Sequence, residues 1–379
     1  MDREDKSPDR NDMKERSRRL EEDKRRTKDE TDAKKKDMKG KLQKSLSRRS
    51  QKSFWNRYQD HIGYAALGAF VLFVIWLSYS GDKRKLTDII VNEDTHIQAH
   101  NEAKRDYTVK MQSFFQGMNM AQAKDLFRNS LTHKKTQPKC NTTNLQDVVL
   151  PETYNFYKQH PNCKHEDIQP KNSASYALAH ASAYRNRFCV FNMGEDFTPS
   201  LDYLFACDTK ENRAGKSGYV LSSLDFVNDN GHISEKCYNS LDTQEGKCPS
   251  KDELDKCKRF KLNSYCVLEG VQDIKREMFK NGPVVSMIQP FRNLLIYEKG
   301  LFDIDDHANK LDGFQAVKVV GWDRDSKGTE WWLVENFWGR TWGEEGIVRV
   351  KIGSEDSFLD KFAIAVYPTA PEVVSAESK

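Results

Sequence analysis

The stretch Ile62–Ser80 (IGYAALGAFVLFVIWLSYS) runs 19 residues without a charged side chain, and nothing else in the chain restricts its fold as much. At a rise of about 1.5 Å per residue, a helix of that length matches the ~30 Å hydrocarbon layer of a bilayer. Tyr64, Trp76 and Tyr79 stand near its ends, where amphipathic rings favour the lipid–water boundary. A buried core helix is the bland alternative. A cleaved signal peptide does not fit, because the run is long and begins some 60 residues into the chain. Arg48, Arg49, Lys52 and Arg57 precede it, against Lys83, Arg84 and Lys85 after it. The positive-inside rule then keeps the N-terminus cytoplasmic and puts the C-terminal body in a lumen or outside the cell. The expected locations are the secretory pathway, a lysosome or the cell surface.

Charge divides at the same place. The 379 residues carry 61 Lys and Arg against 57 Asp and Glu, but residues 1–60 hold 21 basic and 14 acidic side chains. That segment has scarcely an apolar residue and cannot offset its own ordering entropy, so it reads as a disordered cytoplasmic tail. The remaining body is mildly acidic, which argues against a globular domain that binds nucleic acid. The organisation expected is a tail over 1–60, an anchor over 61–80, a helical segment with a linker over 81–149, a globular domain over 150–370 and a short tail over 371–379.

Cysteine usage supports that topology. All eight cysteines fall between Cys140 and Cys266, beyond the anchor, and an even number in so short a span reads as a disulfide framework formed in an oxidising compartment. No C-x-x-C pair occurs, which disfavours structural zinc, and no cofactor or metal is implied. Asn141-Thr142-Thr143 is a glycosylation sequon on the same side.

Residues 86–130 read as helical, with Ile89, Ile90, Ile97, Tyr107, Met111, Phe114, Phe115 and Met118 at roughly helical spacings. Ser173 to Phe188 (SASYALAHASAYRNRF) reads as a small-residue helix suited to close packing. Strand-like runs follow at 282–285, 315–320 and 331–334, so the fold class expected is α+β with two lobes.

Trp332-Leu333-Val334-Glu335-Asn336-Phe337-Trp338-Gly339, followed by Trp342-Gly343-Glu344-Glu345-Gly346, resembles the W-L-V-x-N-S-W-G-x-x-W-G-x-x-G block of the papain family of cysteine proteases. Leu150-Pro151-Glu152 resembles the start of the mature enzyme, and Asn281-Gly282-Pro283-Val284 the N-G-P-[VI] strand entry. Gln315-Ala316-Val317-Lys318-Val319-Val320-Gly321-Trp322 is similar to H-A-V-x-V-V-G-[YW]. The resemblance spans about residues 150–370 and is nearest to cathepsins B and Z, through Pro161-Asn162-Cys163, Arg187-Phe188-Cys189 and Ala179-His180-Ala181-Ser182. It implies a two-lobed fold, with a helical left lobe and a β-barrel-like right lobe. Upstream, Ile97-Gln98-Ala99-His100-Asn101 resembles the end of an inhibitory pro-helix, which implies a pro-like segment over 81–149.

Such proteases need a thiolate at a helix N-terminus, a His to carry its proton, an Asn to orient that His and a Gln to hold the oxyanion. Gln169 stands six residues before Ser175, at the family's spacing from oxyanion Gln to nucleophile. The nucleophile position therefore holds Ser175, or Ala177 if the Ala-His-Ala-Ser match sets the frame. Gln315 occupies the position of the base, and an amide has no basicity with which to take a proton near neutral pH. Asp306-His307-Ala308 has the family's letters around its His but lacks the V-V-G strand that should follow. Asn336 and Trp338 remain, with Asn336 expected to hydrogen-bond Gln315.

The resemblance also implies that Cys163 pairs with Cys189, Cys207 with Cys248 and Cys237 with Cys257, leaving Cys140 and Cys266 as a pair or as free thiols. Two family bridges are absent together, with Asn172 and Gly215 at the cysteine positions of one and Phe362 at the other. That paired loss is expected of a maintained fold. His180 reads as a packed core residue, and His160, His165 and His232 show no metal-ligand spacing. The function expected is that of a catalytically inactive papain-like protein, anchored through residues 61–80, whose former cleft binds a peptide or protein. A hydrolase using Ser175 or His307, and a structural protein with its cleft closed by its own pro-segment, are the alternatives.

Overall fold

The computed structural model describes residues 85–127, 137–164, 174–191, 197–212, 218–304, 310–354 and 357–369. The chain separates into two units, residues 1–83 and 84–379, and all the described residues belong to the second. The charged tail, the apolar run 62–80, His165, Gln169, Asn172, Gly215, His307 and residues 371–379 lie outside the described residues. Among the described residues no helix is long and apolar enough to cross a membrane.

The helical reading of residues 86–130 fails in its middle. Two short helices, α1 (Asp94–Glu102) and α2 (Met120–Asp125), flank a strand, β1 (Tyr107–Val109), and a 3-10 turn at Ser113–Phe115. The reason lies in hydrogen bonding beyond the segment. Asn101 turns back on β1, its side chain accepting from Val109 N at 3.0 Å and donating to Val109 O at 2.9 Å. Tyr107 and Val109 then bury alternate side chains while the strand pairs antiparallel with β5 (Tyr297–Phe302). A free sheet edge outweighs helical spacing that has no partner helix. Helix α2 is fixed at its start by a capping box between Asn119 and Gln122.

The central helix α3 spans Ser175–Val190, two residues later than its sequence suggests. Its alanines let it pack closely, and Ala177, Ala179, Ala181 and Ala183 are all fully buried. Helices α4 (Leu201–Cys207) and α5 (Val220–Asn230) belong to the same helical lobe, and α6 (Val271–Asn281) leads into the other. The strands are β2 (Tyr154–Asn155), β3 (Leu262–Leu268), β4 (Val284–Ile288), β6 (Gln315–Arg324), β7 (Glu330–Glu335), β8 (Ile347–Lys351) and β9 (Ala363–Pro368). They run β1-β5-β8-β7-β6-β4-β9-β3, with β2 beside β6. Among the described residues this path has β1 of the pro-like segment at one end and β3 at the other.

Two cores lie on the two faces of this sheet. Val284, Val317 and Ala363 face one core, while Val285, Ala316 and Ile364 face the other. Successive strand side chains point to opposite faces, so strands buried on both sides are mostly apolar. Every residue of Val284-Val285-Ser286-Met287-Ile288 is buried, and its one polar side chain is satisfied, Ser286 Oγ donating to Phe362 O at 2.6 Å. The first core takes Val91, Phe115, Met120 and Phe127 from the pro-like segment, so residues 85–127 are part of the folded body. Four disulfides close it. The three expected pairs form, and Cys140 joins Cys266 as the fourth.

Candidate functional site

The N-terminus of α3, the first residue of β6 and the turn after β7 meet where the family resemblance puts the catalytic positions. Gln315 donates from Nε2 to Asn336 Oδ1 at 2.8 Å, and the same oxygen accepts from Phe337 N at 2.8 Å. Gln315 is 2% exposed and Ser175 likewise 2% exposed. Ser175 Oγ accepts a hydrogen bond from Ala316 N at 3.2 Å. The structure therefore brings Ser175, Gln315 and Asn336 together, and leaves Ala177, two residues further along α3, buried in the helical core. Gln169 and His307 lie outside the described residues.

The chemistry of this cluster follows from its groups. A primary amide can donate to Asn336 as an imidazole N–H would, but it holds no lone pair basic enough to deprotonate a hydroxyl. The Ser175 oxygen is engaged as an acceptor by strand β6. The described histidines serve elsewhere. His180 lies beside Ser223, with Nε2 to Oγ at 2.9 Å, and burial lowers its pKa to about 3. The His232 ring is 5.6 Å from that of His180, and burial, then the neighbouring imidazole, pulls its pKa well below the usual value. His160 packs on Phe156, and His96 Nε2 meets Asn293 Oδ1 at 2.8 Å.

Trp338 shows what sequence reasoning missed. Its ring is covered by Phe114 (centroids 6.2 Å apart, stacked), Phe115 (5.0 Å, edge-on) and Phe127 (5.8 Å), with Trp342 behind it at 5.0 Å. Phe127 O accepts from Phe314 N at 3.0 Å, one residue before Gln315. Gly313 allows that approach, because a Cβ there would sit 1.7 Å from Phe127 O, at a φ of +93°. The pair Phe114-Phe115 was the visible signal, yet as one of many apolar residues it read as part of a helix face.

Two further networks hold the pro-like segment at this end of the sheet. Arg292 Nη2 donates to Ile90 O at 2.8 Å and to Glu93 Oε2 at 2.6 Å. Gln112 Nε2 donates to Tyr297 O at 2.6 Å. Beyond residues 128–136 the chain returns on the β3 edge, where Val267 N donates to Pro138 O at 2.7 Å and Cys140 N to Val267 O at 2.9 Å.

Comparison with known proteins places this geometry. The profile described as "Papain family cysteine protease" matches residues 150–368. "Cathepsin B-like cysteine proteinase 1" of Ostertagia ostertagi is 27% identical over 241 residues, covering 55% of this chain and 70% of that protein. "Tubulointerstitial nephritis antigen-like" of Rattus norvegicus is 23% identical over 260 residues, covering 59% of this chain and 56% of its own. Among solved structures, "proCathepsin B S9 from Trypanosoma congolense" superposes with a TM-score of 0.65 at 24% identity, over 74% of this chain and 99% of that one.

Proposed function

The chain belongs to the papain family of cysteine proteases, and on that premise we propose that it is a catalytically inactive member, anchored in a membrane, that binds or scaffolds a peptide or protein. The observation that carries this reading is the Gln315–Asn336 hydrogen bond at 2.8 Å. The amide holds the place of the base and keeps the scaffold's hydrogen bond, but supplies no proton acceptor. Ser175 in place of a thiol removes the second requirement, since a hydroxyl needs a stronger base than a thiol does. Two-lobed folds retain a cleft after chemistry is lost, and function lives in such sites rather than in the fold. The relatives include proteins named as antigen-like as well as proteins named as proteinases.

A second reading rests on a separate observation, the aromatic cover of Phe114, Phe115 and Phe127 over Trp338. In that reading the protein is structural and its own segment closes the cleft. The anchor at 61–80, the lumenal or extracellular placement of the body and a glycan at Asn141 belong to the proposal. The exposed Asn141 side chain, whose Oδ1 accepts from Thr143 N at 3.1 Å, is in reach of a transferase.

Peptidase activity of the full chain tests the proposal, measured beside a Ser175→Cys, Gln315→His double variant. The natural protein is expected to be silent. Cleavage that Ser175→Ala abolishes overturns the inactive reading and requires a serine mechanism. A double variant that gains activity only when Phe114→Ala and Phe115→Ala are added supports the closed-cleft reading.

A further inference from the structure

The one disulfide that the family resemblance left open joins two parts of the molecule that a processing cut would otherwise separate. Cys140 lies at the end of the pro-like segment, and Cys266 lies on β3, 126 residues later in the globular domain. Between Cys140 and the domain's start at Leu150 runs a surface linker. Its end is open to solvent, with Val149 87% exposed, and Asn141, Thr143, Asn144, Gln146 and Asp147 are also exposed. Its attachments are few: Leu145 is buried, Lys280 Nζ donates to Asn144 O at 3.1 Å, and Arg276 reaches Gln146 at 3.5 Å. Exposed, polar chain of this kind is where proteases cut.

We infer that Cys140–Cys266 is a retention staple: a cut in the linker 141–149 yields two chains that stay covalently joined, with the body kept on its membrane, until a thiol reductant leaves only the non-covalent packing of residues 85–127 to hold them. The membrane half of this statement rests on the anchor proposed above, whereas the staple itself does not. The bond lies upstream of the linker on one side and inside the domain on the other, so no cut between them removes it. Two backbone hydrogen bonds around Val267 hold the same strand in register. The covalent tether also keeps the local concentration of Phe114, Phe115 and Phe127 high at Trp338, so that part of the cleft stays covered. A peptide ligand must then use surface outside the Trp338 cover. Release is a thiol–disulfide exchange with a dithiol: the cystine takes up two electrons and two protons to give two thiols, while the dithiol is oxidised to one disulfide.

The experiment uses the full chain in native membranes, with Gln146–Val149 replaced by a factor Xa recognition sequence. After cleavage, a non-reducing denaturing gel is expected to show one species, and a reducing gel two chains. The C-terminal chain is expected to sediment with the membranes before reduction. A Cys140→Ser, Cys266→Ser variant cut in the same way is expected to lose its C-terminal chain from the pellet about a hundredfold faster. Adding dithiol to the cut natural-cysteine protein gives the same readout without a variant. Two chains on the non-reducing gel of the natural-cysteine protein overturn the staple. Equal dwell times with and without the disulfide overturn its retention role. A linked pair found in the supernatant supports the staple and overturns the anchor.

Discussion

At the scale of single residues, burial decides which histidines titrate. His180 and His232 sit beside each other inside the helical lobe, His232 against Tyr184, and burial keeps both imidazoles neutral, with His180 held at about 3. In the unfolded chain the same rings take up protons near pH 6.5. Between those values the unfolded state binds the extra proton, so stability is complete above about pH 6.5 and falls as the pH falls. For His180 the loss is on the order of 1 kcal/mol per pH unit and ends near the folded value. A urea-unfolding series from pH 7 to 4 should show this slope, and His180→Gln should flatten it. An unchanged slope would mean that other groups control acid unfolding. The fate of Gln315 shows how far sequence reaches at this scale. Its bond to Asn336 follows from motif positions alone, and it is present. That Ser175 Oγ accepts from Ala316 N does not follow, because it depends on how closely α3 meets β6 in space.

Among the elements, long apolar strands and the alanine-rich helix were legible because their composition suits one environment. Strands β4, β6 and β7 fall where β-branched and aromatic residues cluster, and α3 where small residues do. Strand β1 was not legible. Three residues show no period, and what makes them a strand is the edge of β5, which comes 190 residues later. Gly300 is where that dependence is sharpest. A Cβ there would lie 2.4 Å from Asp106 O and 2.6 Å from Tyr107 Cα, at a φ of +106°. Gly300→Ala should therefore detach β1, at a cost of about 1–3 kcal/mol. Hydrogen exchange reads this directly, since Leu301 N donates to Asp106 O at 2.9 Å. The Leu301 amide should lose protection while the paired Val319 and Val334 in the sheet centre keep theirs. Equal protection at Leu301 in variant and natural protein would show that β1 is held by something other than its register.

For the whole molecule, the two cores and four disulfides fix what each lobe is, but one side chain carries much of the coupling between the lobes. Lys318 on β6 is 2% exposed and sits between the helical and sheet cores. Its ammonium donates to Ser182 Oγ at 2.6 Å and Asn186 Oδ1 at 2.8 Å on α3, and to Tyr157 OH at 2.9 Å. Its counter-ion is Glu335 Oε1 at 3.0 Å, on β7, and Tyr157 OH also donates to that carboxylate. All three ammonium donors and the charge are satisfied, so a cation that would be costly in this interior is held by partners from both lobes. In the sequence this residue was only the variable position of a V-x-V strand, since its partners lie far away along the chain. The asymmetry of buried pairs gives the prediction. Lys318→Met keeps the volume but leaves the half-buried Glu335 carboxylate, 13% exposed, without its counter-ion, and should destabilise the protein by about 3 kcal/mol. Lys318→Met with Glu335→Gln removes both charges and should recover most of that loss, because the penalty belongs to the orphaned carboxylate. Urea midpoints of the two variants separate these terms. If the double variant is as unstable as the single one, the polar bonds to α3, and not the ion pair, are what hold the lobes together.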